Sequence, residues 1–142
     1  KFGEIIFFMS SWGISNFEND TALDWVNEII QRKELDDLKE VIDSFVSCFS
    51  VENTSLIDCS EFLAIAETIA AIIGSPDEDF PEELNDWIES KFIKIDQTVI
   101  ENAKKGVQLI LTDSEAKEMY LDSGYFKSWT KTQKDLIKRL SE

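Results

Sequence analysis

The sequence contains no histidine among its 142 residues. Histidine is the commonest general base near neutral pH and the commonest metal ligand, and it activates the nucleophile in Ser-His and Cys-His pairs. Its absence excludes these forms of catalysis. We therefore expect a protein that is not an enzyme and that has no catalytic residue, no cofactor and no metal site.

Cysteine, glycine and proline are also scarce. The chain has five glycines, two prolines and two cysteines, Cys48 and Cys59, which do not form a Cys-x-x-Cys arrangement. Both cysteines adjoin apolar helical positions, which predicts two buried thiols in a reducing, cytoplasmic compartment, although their spacing does not decide whether they pair. Few glycines and prolines favour long regular elements over many short strands.

Long apolar runs are missing as well. None approaches the roughly 20 residues that a membrane span needs. The opening "KFGEIIFFM" has neither the length nor the small-residue cleavage site of a signal peptide. We expect residues 1–8, of which residues 4–8 have strand character, to be an extension from an upstream start codon or an expression vector. Met9 is then the natural start, and residues 9–142 are a single domain.

Negative charge is abundant and unevenly distributed. The formal net charge is −15. Residues 1–90 contain 21 acidic and 4 basic residues, a charge of −17, whereas residues 91–142 contain 8 acidic and 10 basic residues, a charge of +2. Such a field repels phosphate backbones and anionic lipid, so we expect neither nucleic acid nor a membrane as a partner. The charge favours a basic protein as the partner, or it serves only to keep the chain in solution.

Apolar residues recur at helical spacing from residue 20 to the end. Asn19 or Asp20 caps the first predicted helix, and Leu23, Val26 and Ile30 form its apolar stripe. The segment from Asp58 to Ile73 is the most apolar and is predicted to be the central buried helix. We predict one compact all-α domain of six or seven helices.

Further signals mark where the predicted helices begin, end or are interrupted. Gly74, followed by Pro76, predicts a stop, and Pro81 lies at or near the start of the next helix. Gly106 interrupts the series of apolar residues that predicts a helix at residues 96–111. Thr112 and Glu115 have the Thr-x-x-Glu spacing of a capping box, which predicts a short helix ending at Gly124.

Seven carboxylates and no basic residue occur in the 13 residues from 77 to 89. A calcium loop needs alternating ligands and a central glycine, which this run lacks. Two alternatives stay open: a solvated surface with helix-start charges, or a docking surface for a basic protein. The candidate partner-binding residues are Asp77, Glu78, Asp79, Glu82, Glu83, Asp86 and Glu89.

A stripe of lysines on the predicted last helix has the opposite charge. We expect these lysines to pair with acidic helices of the same domain or to be exposed, rather than to bind an acidic ligand. They are Lys127, Lys131, Lys134 and Lys138.

The stretch "WGISNFENDTALDWV" concentrates aromatic and polar residues near the start. Its side chains suit an aromatic ligand platform, but each also has a structural role: a turn at Gly13, a cap at Asn19 or Asp20, and aromatics that hold the loop to the core. We favour the structural interpretation.

The pattern of this opening stretch resembles the opening of the bacterial family known as domain of unknown function 4259. The matching residues are Trp12, Gly13, Phe17, Asn19, Asp20, Ala22, Asp24 and Trp25.

The resemblance continues along the chain. "AIAETIAAIIGSPDEDFPEELNDWI" is similar to the alanine-rich helix, Gly-x-Pro break and Pro-Glu-Glu-Leu segment of that family, and "DSEAKEMYLDSGYFKSWTKTQKDLIKRL" to its closing helices. One departure is Ser15, where the family usually has glycine. The family carries over no catalytic residue. Small acidic bacterial families of this kind are often encoded beside secreted toxins and act as their immunity proteins.

Two functional hypotheses follow. The first is a non-enzymatic protein that binds a basic partner, most concretely an immunity protein that covers the active site of a basic toxin. A housekeeping or regulatory adaptor for another basic partner has the same sequence features. The alternative is a metal- or small-molecule-binding protein or enzyme that uses clustered carboxylates, for instance Asp20, Asp24 and Glu28, which share one helix face.

The start at Met9 is directly testable. If residues 1–8 are an extension, the intact mass of the protein purified from its native source will correspond to a chain that begins at Met9. A measured mass that includes Lys1 to Phe8 would show the interpretation to be wrong.

Overall fold

The structure of the protein is a computed structural model and describes residues 13–32, 38–91 and 93–142. Within these ranges the chain forms seven α-helices and no strand, which confirms the predicted all-α class. The helices are α1 (Asp20–Arg32), α2 (Leu38–Cys48), α3 (Leu56–Ile72), α4 (Glu82–Glu89), α5 (Gln97–Thr112), α6 (Glu115–Ser123) and α7 (Phe126–Leu140). The predictions for residues 1–8 and Met9 lie outside the described residues.

The centre of the fold is α3. Eleven of its 17 residues are buried, and it contacts α1, α2, α5, α6 and α7. It begins at Leu56, earlier than predicted, because Ser55 and Asp58 form a capping box: the Ser55 hydroxyl accepts a hydrogen bond from the Asp58 N–H at 3.1 Å, and the Asp58 carboxylate accepts one from the Ser55 N–H at 3.3 Å. The prediction of a central buried helix is confirmed.

The first helix, α1, contacts α3 and α4, and its buried residues are Ala22, Trp25, Val26 and Ile29. Its N-cap is Asn19, as predicted, because the Asn19 side-chain oxygen accepts a hydrogen bond from the Ala22 N–H at 2.8 Å. The prediction that Leu23 belongs to the apolar stripe is wrong, since Leu23 is 47% exposed. Successive helical residues are rotated by about 100°, so a face centred between Ala22 and Trp25 turns Leu23 outward.

The junction between α5 and α6 also differs from the prediction. Thr112 is the last residue of α5, and its hydroxyl donates to the Gln108 carbonyl at 2.7 Å, so Thr112 does not cap α6. Ser114 is the N-cap instead: its hydroxyl accepts from the Lys117 N–H at 3.0 Å and donates to the Ile110 carbonyl at 2.7 Å. One buried serine thus joins the end of α5 to the start of α6.

The predicted helix breaks after α3 and α6 are confirmed. Gly74 has φ +99° and Gly124 has φ +85°, both in the left-handed region that favours glycine. Pro81 is the N-cap of α4, next to its first helical residue. No helix in the described ranges combines the length and the apolar character that a bilayer span requires.

The two cysteines occupy different environments. Cys59 is fully buried in α3, and burial raises the pKa of its thiol to about 12. Cys48, at the end of α2, is exposed, so the prediction that both thiols are buried is wrong for Cys48. Only part of the apolar face of α2 is fully covered: Leu38 and Ile42 are buried, whereas in the last turn Phe45 and Val46 are half-buried and Cys48 is exposed. Both cysteines are free thiols.

Gly106 lets an aromatic side chain reach the backbone of α5. A Cβ atom at this position would overlap the ring of Phe62 from α3. The same ring stacks on Phe45 of α2, with centroids 4.0 Å apart and an interplanar angle of 18°. The glycine therefore sets the distance at which α2, α3 and α5 pack together.

Replacing Gly106 with alanine should destabilise the protein. In an unobstructed helix this change adds about 1 kcal/mol of stability. Here the added methyl group displaces Phe62, and overpacking of this kind costs about 1–3 kcal/mol. Urea denaturation measures the free energy of unfolding. Lys105→Ala on the exposed face of α5 is the control and should change it by less than about 0.5 kcal/mol. A stabilised Gly106→Ala variant would contradict the packing described above.

Candidate functional site

The opening loop, residues 13–19, is held to the core at several points. The Gly13 N–H donates to the Glu18 carbonyl at 2.7 Å, and the Tyr120 hydroxyl donates to the Gly13 carbonyl at 2.7 Å. Phe17 is buried and packs edge-to-face on Phe80, with centroids 5.4 Å apart. These contacts support the structural interpretation of the opening stretch. The described residues of the loop pack against the core and cap α1.

The described motif residues divide into two groups. Phe17, Asn19, Ala22 and Trp25 are buried, and Asp20 and Asp24 are exposed at the start of α1. Gly13, which is half-buried, belongs to neither group. Trp12 lies outside the described residues. Ser15, the departure from the family pattern, makes contacts that glycine cannot make, since its hydroxyl accepts from the Phe17 N–H at 3.4 Å. No pattern in the sequence predicts this hydrogen bond of Ser15.

A buried polar cluster lies beneath this loop. Glu67 of α3 is 1% exposed and Gln133 of α7 is fully buried. The Asn16 amide donates to the Glu67 carboxylate at 2.9 Å and to the Gln133 side-chain oxygen at 3.0 Å, and Gln133 donates back to Asn16 at 2.8 Å. Asn16, Glu67 and Gln133 thus each have a hydrogen-bond partner, which the low dielectric of the interior requires.

Arg139 of α7 neutralises the buried carboxylate. Its two terminal nitrogens donate to the two oxygens of Glu67 at 2.8 and 3.2 Å, a bidentate pair. Burial raises the pKa of Glu67, an effect that the hydrogen bonds from Arg139 and Asn16 oppose. Burial lowers the pKa of Arg139, but its pairing with Glu67 and Asp135 outweighs burial and raises it above its ordinary value.

The same guanidinium contacts the segment that leads into the acidic run. It donates to the Ser75 carbonyl at 3.3 Å and lies 3.9 Å from the Asp77 carboxylate, while its Nε donates to Asp135 at 2.7 Å. A cleft of about 470 Å³ opens at this point, between the start of the run and α7. The buried ion pair therefore also holds the start of the acidic run in place.

The acidic run itself is largely on the surface. The structure turns Asp77 toward Arg139 and leaves the other six carboxylates exposed. Leu84 and Ile88 bury the opposite side of α4. We call the exposed set the acidic face; it consists of Glu78, Asp79, Glu82, Glu83, Asp86 and Glu89.

The other predicted charged groups are also exposed. In α7 the four lysines point to solvent, so the expectation of exposure holds for Lys127, Lys131, Lys134 and Lys138. Asp20, Asp24 and Glu28 lie on the surface of α1. Among the residues that the structure describes, no group of three or more carboxylate or cysteine side chains is arranged to hold a metal ion.

The buried cluster of Asn16, Glu67, Gln133 and Arg139 was not predicted. One signal was available: Glu67 is the only charged residue in "FLAIAETIAAII", where a helix buried on all sides forces it to find a partner. Its partners lie 51 and 72 residues away in the chain, which no local pattern indicates.

The family can be assigned from the sequence as a whole. A family model described as Domain of unknown function (DUF4259) matches residues 10–132. The chain is a DUF4259 protein. The match spans the opening loop, the acidic face and residues 126–132 of α7. It ends before Gln133, Asp135 and Arg139, the residues that α7 contributes to the buried cluster and its ion pairs. No curated protein and no solved structure matches the DUF4259 chain.

Removing Arg139 should destabilise the DUF4259 protein in a pH-dependent way. In Arg139→Met the Glu67 carboxylate is buried without its counterion, which costs about 3–5 kcal/mol where Glu67 is ionised. The loss of Arg139 raises the pKa of Glu67 further in the folded state, so the protonated form is tolerated at low pH. Relative to the wild type, the penalty therefore grows once the pH exceeds the raised folded-state pKa that Glu67 has in the wild type, by about 1.4 kcal/mol per pH unit up to its still higher folded-state pKa in the variant.

Urea denaturation at pH 5 and pH 8 measures this difference. Lys138→Met places the same side chain at the neighbouring exposed position and should have little effect at either pH. The double variant Glu67→Gln/Arg139→Met has no buried charge and should lose the additional pH dependence. An Arg139→Met penalty that is the same at both pH values would show that Glu67 does not require a cation.

Proposed function

We propose that this DUF4259 protein is a non-enzymatic binding protein that docks a basic protein through its acidic face. The observation that supports the proposal is the exposure of six carboxylates within 12 residues, on one short helix and the loop before it. In the part of the chain that the structure describes, none of the six forms an ion pair. Their charge is thus available to an external cation.

Charge of this density attracts a basic partner before contact. Clustered charges of one sign raise association rates by about 10- to 1000-fold at low salt, and they do so over distances of about 8–10 Å, beyond which salt screens them. The field also repels acidic competitors, which contributes specificity as well as rate. The net charge of −15 of the whole chain acts in the same direction.

The acidic face is attached to a rigid base. Leu84 and Ile88 anchor α4 in the core, and Arg139 holds Ser75 and Asp77 at the start of the segment. A surface that is already ordered loses little conformational entropy when a partner binds. This favours docking of a folded protein, and it sets the face apart from a disordered acidic tail.

We propose a toxin as the partner and immunity as the role. A nuclease toxin must carry a basic surface to hold the phosphates of its substrate, and an acidic face competes for that surface. Neutralisation then needs no chemistry from the DUF4259 protein itself. The two free thiols are consistent with action in a reducing, cytoplasmic compartment.

Charge reversal of the acidic face tests this proposal. The tagged chain is first used to capture a basic protein from the lysate of its source organism. We expect the captured protein to be released when the salt concentration is raised from about 0.05 to 0.5 M, because salt then screens the charges strongly. We expect Glu82→Lys/Glu83→Lys/Asp86→Lys to slow association with that purified partner by about tenfold or more at low salt. Stopped-flow or surface-based kinetics gives the rate.

A matched triple variant separates the face from the net charge. Asp24→Lys/Glu52→Lys/Glu118→Lys changes the net charge by the same amount at exposed positions elsewhere. It should slow association much less than the first variant. If both variants slow association equally, the rate depends only on the net charge of the chain and not on the acidic face. If neither variant slows association, the acidic face does not dock the partner.

A further inference from the structure

A second surface has a composition different from that of the acidic face. An open groove of about 670 Å³ runs between α2 and α3. Phe62 and Ile65 form its buried floor, Phe45 is half-buried on its wall, and Val41 is 41% exposed at its edge. The groove therefore presents apolar surface that no described part of the chain covers.

The rim of this groove is acidic. Glu40 and Asp58 are exposed on opposite sides, from α2 and α3, and Glu61 also lines the groove. The described lining residues include no lysine or arginine. An apolar floor between two acidic edges is complementary to a segment with apolar side chains on one face and basic side chains on its flanks.

The floor of the groove is also held in place. The face of the Phe62 ring stacks on Phe45 and the tip of the ring lies against Gly106 of α5, so the ring has little freedom to swing outward and fill the groove. From Glu40 to Cys48 the groove edge spans about 12 Å, the length of about two helical turns. A short helical segment of a partner matches that length.

We propose that the groove between α2 and α3 binds a basic amphipathic helical segment of a partner protein. The apolar side chains of the segment contact Val41 and Phe45, and its lysine or arginine side chains contact Glu40 and Asp58. This surface lies on other helices than the acidic face, so its test does not depend on the function proposed above.

Cys48 provides a reporter inside the groove. It lines the groove and is exposed, whereas Cys59, the other cysteine of the chain, is buried with a pKa raised to about 12. Iodoacetamide therefore modifies Cys48 in the folded protein, and mass spectrometry gives the rate. A segment seated in the groove covers this thiol and slows the reaction.

The probe is a synthetic 14-residue amphipathic helix made of leucine and lysine. At a peptide concentration about four times its dissociation constant, mass action leaves about one fifth of the grooves empty, so alkylation of Cys48 slows about fivefold. The matched peptide with glutamate in place of every lysine should give no protection. Equal protection by the two peptides, or none by the lysine peptide, would overturn the proposal.

Two matched variants locate the binding surface. Val41→Lys introduces a positive charge into the groove and should abolish the protection. Leu23→Lys makes the same change at an exposed apolar residue of α1, which does not line the groove, and should leave the protection intact. If the two variants behave alike, the peptide binds elsewhere.

Two further measurements test whether a second copy of the chain or residues 1–8 occupy the groove instead of a partner segment. If alkylation of Cys48 in the absence of peptide slows as the protein concentration rises, a second copy covers the groove. If a chain that begins at Met9 reacts faster than the full chain, residues 1–8 cover it. Either result would overturn the proposal of an external basic segment; unchanged rates in both measurements support it.

Discussion

Burial of the Glu67 carboxylate is the constraint on which the rest of this structure depends. An ionised group inside a helical core is strongly destabilising unless a cation and further hydrogen bonds compensate it. Glu67 obtains the cation from Arg139 on the last helix and a hydrogen bond from Asn16 in the opening loop. Because these partners come from distant parts of the chain, satisfying one carboxylate also determines how the opening loop, α3 and α7 are arranged around each other.

The same constraint connects the core to the surface. Arg139 donates hydrogen bonds not only to Glu67 but also to the Asp135 carboxylate and to the Ser75 carbonyl, at the start of the next segment. The acidic face follows this segment directly. The protein thus uses its carboxylates in two ways: one is buried and neutralised, where it orders the fold, and six are exposed without a counter-ion among the described residues, where they are available to a partner.

Much of the fold was predictable because its signals are local. The cap at Asn19, the stops at Gly74 and Gly124, the exposure of the lysines on α7 and the central position of α3 all follow from residue types at short spacing. The errors have a common cause. Leu23, Cys48 and Thr112 have the right chemistry for the roles predicted for them, but the packing of neighbouring helices decided which faces are covered and where α5 ends. The acidic run was likewise identifiable from the sequence, whereas the inward turn of Asp77 was not.

The sequence by itself determined the helical class, the absence of histidine-based chemistry and the concentration of negative charge before residue 90. Each of these depends on composition or on interactions within about four residues, the reach of a helical turn. Only the tertiary structure decided that Asn16 meets Gln133, 117 residues later, that Glu67 meets Arg139, and that a groove with an acidic rim opens between α2 and α3. These contacts join side chains that are far apart in the chain, and packing alone brings them within hydrogen-bonding distance.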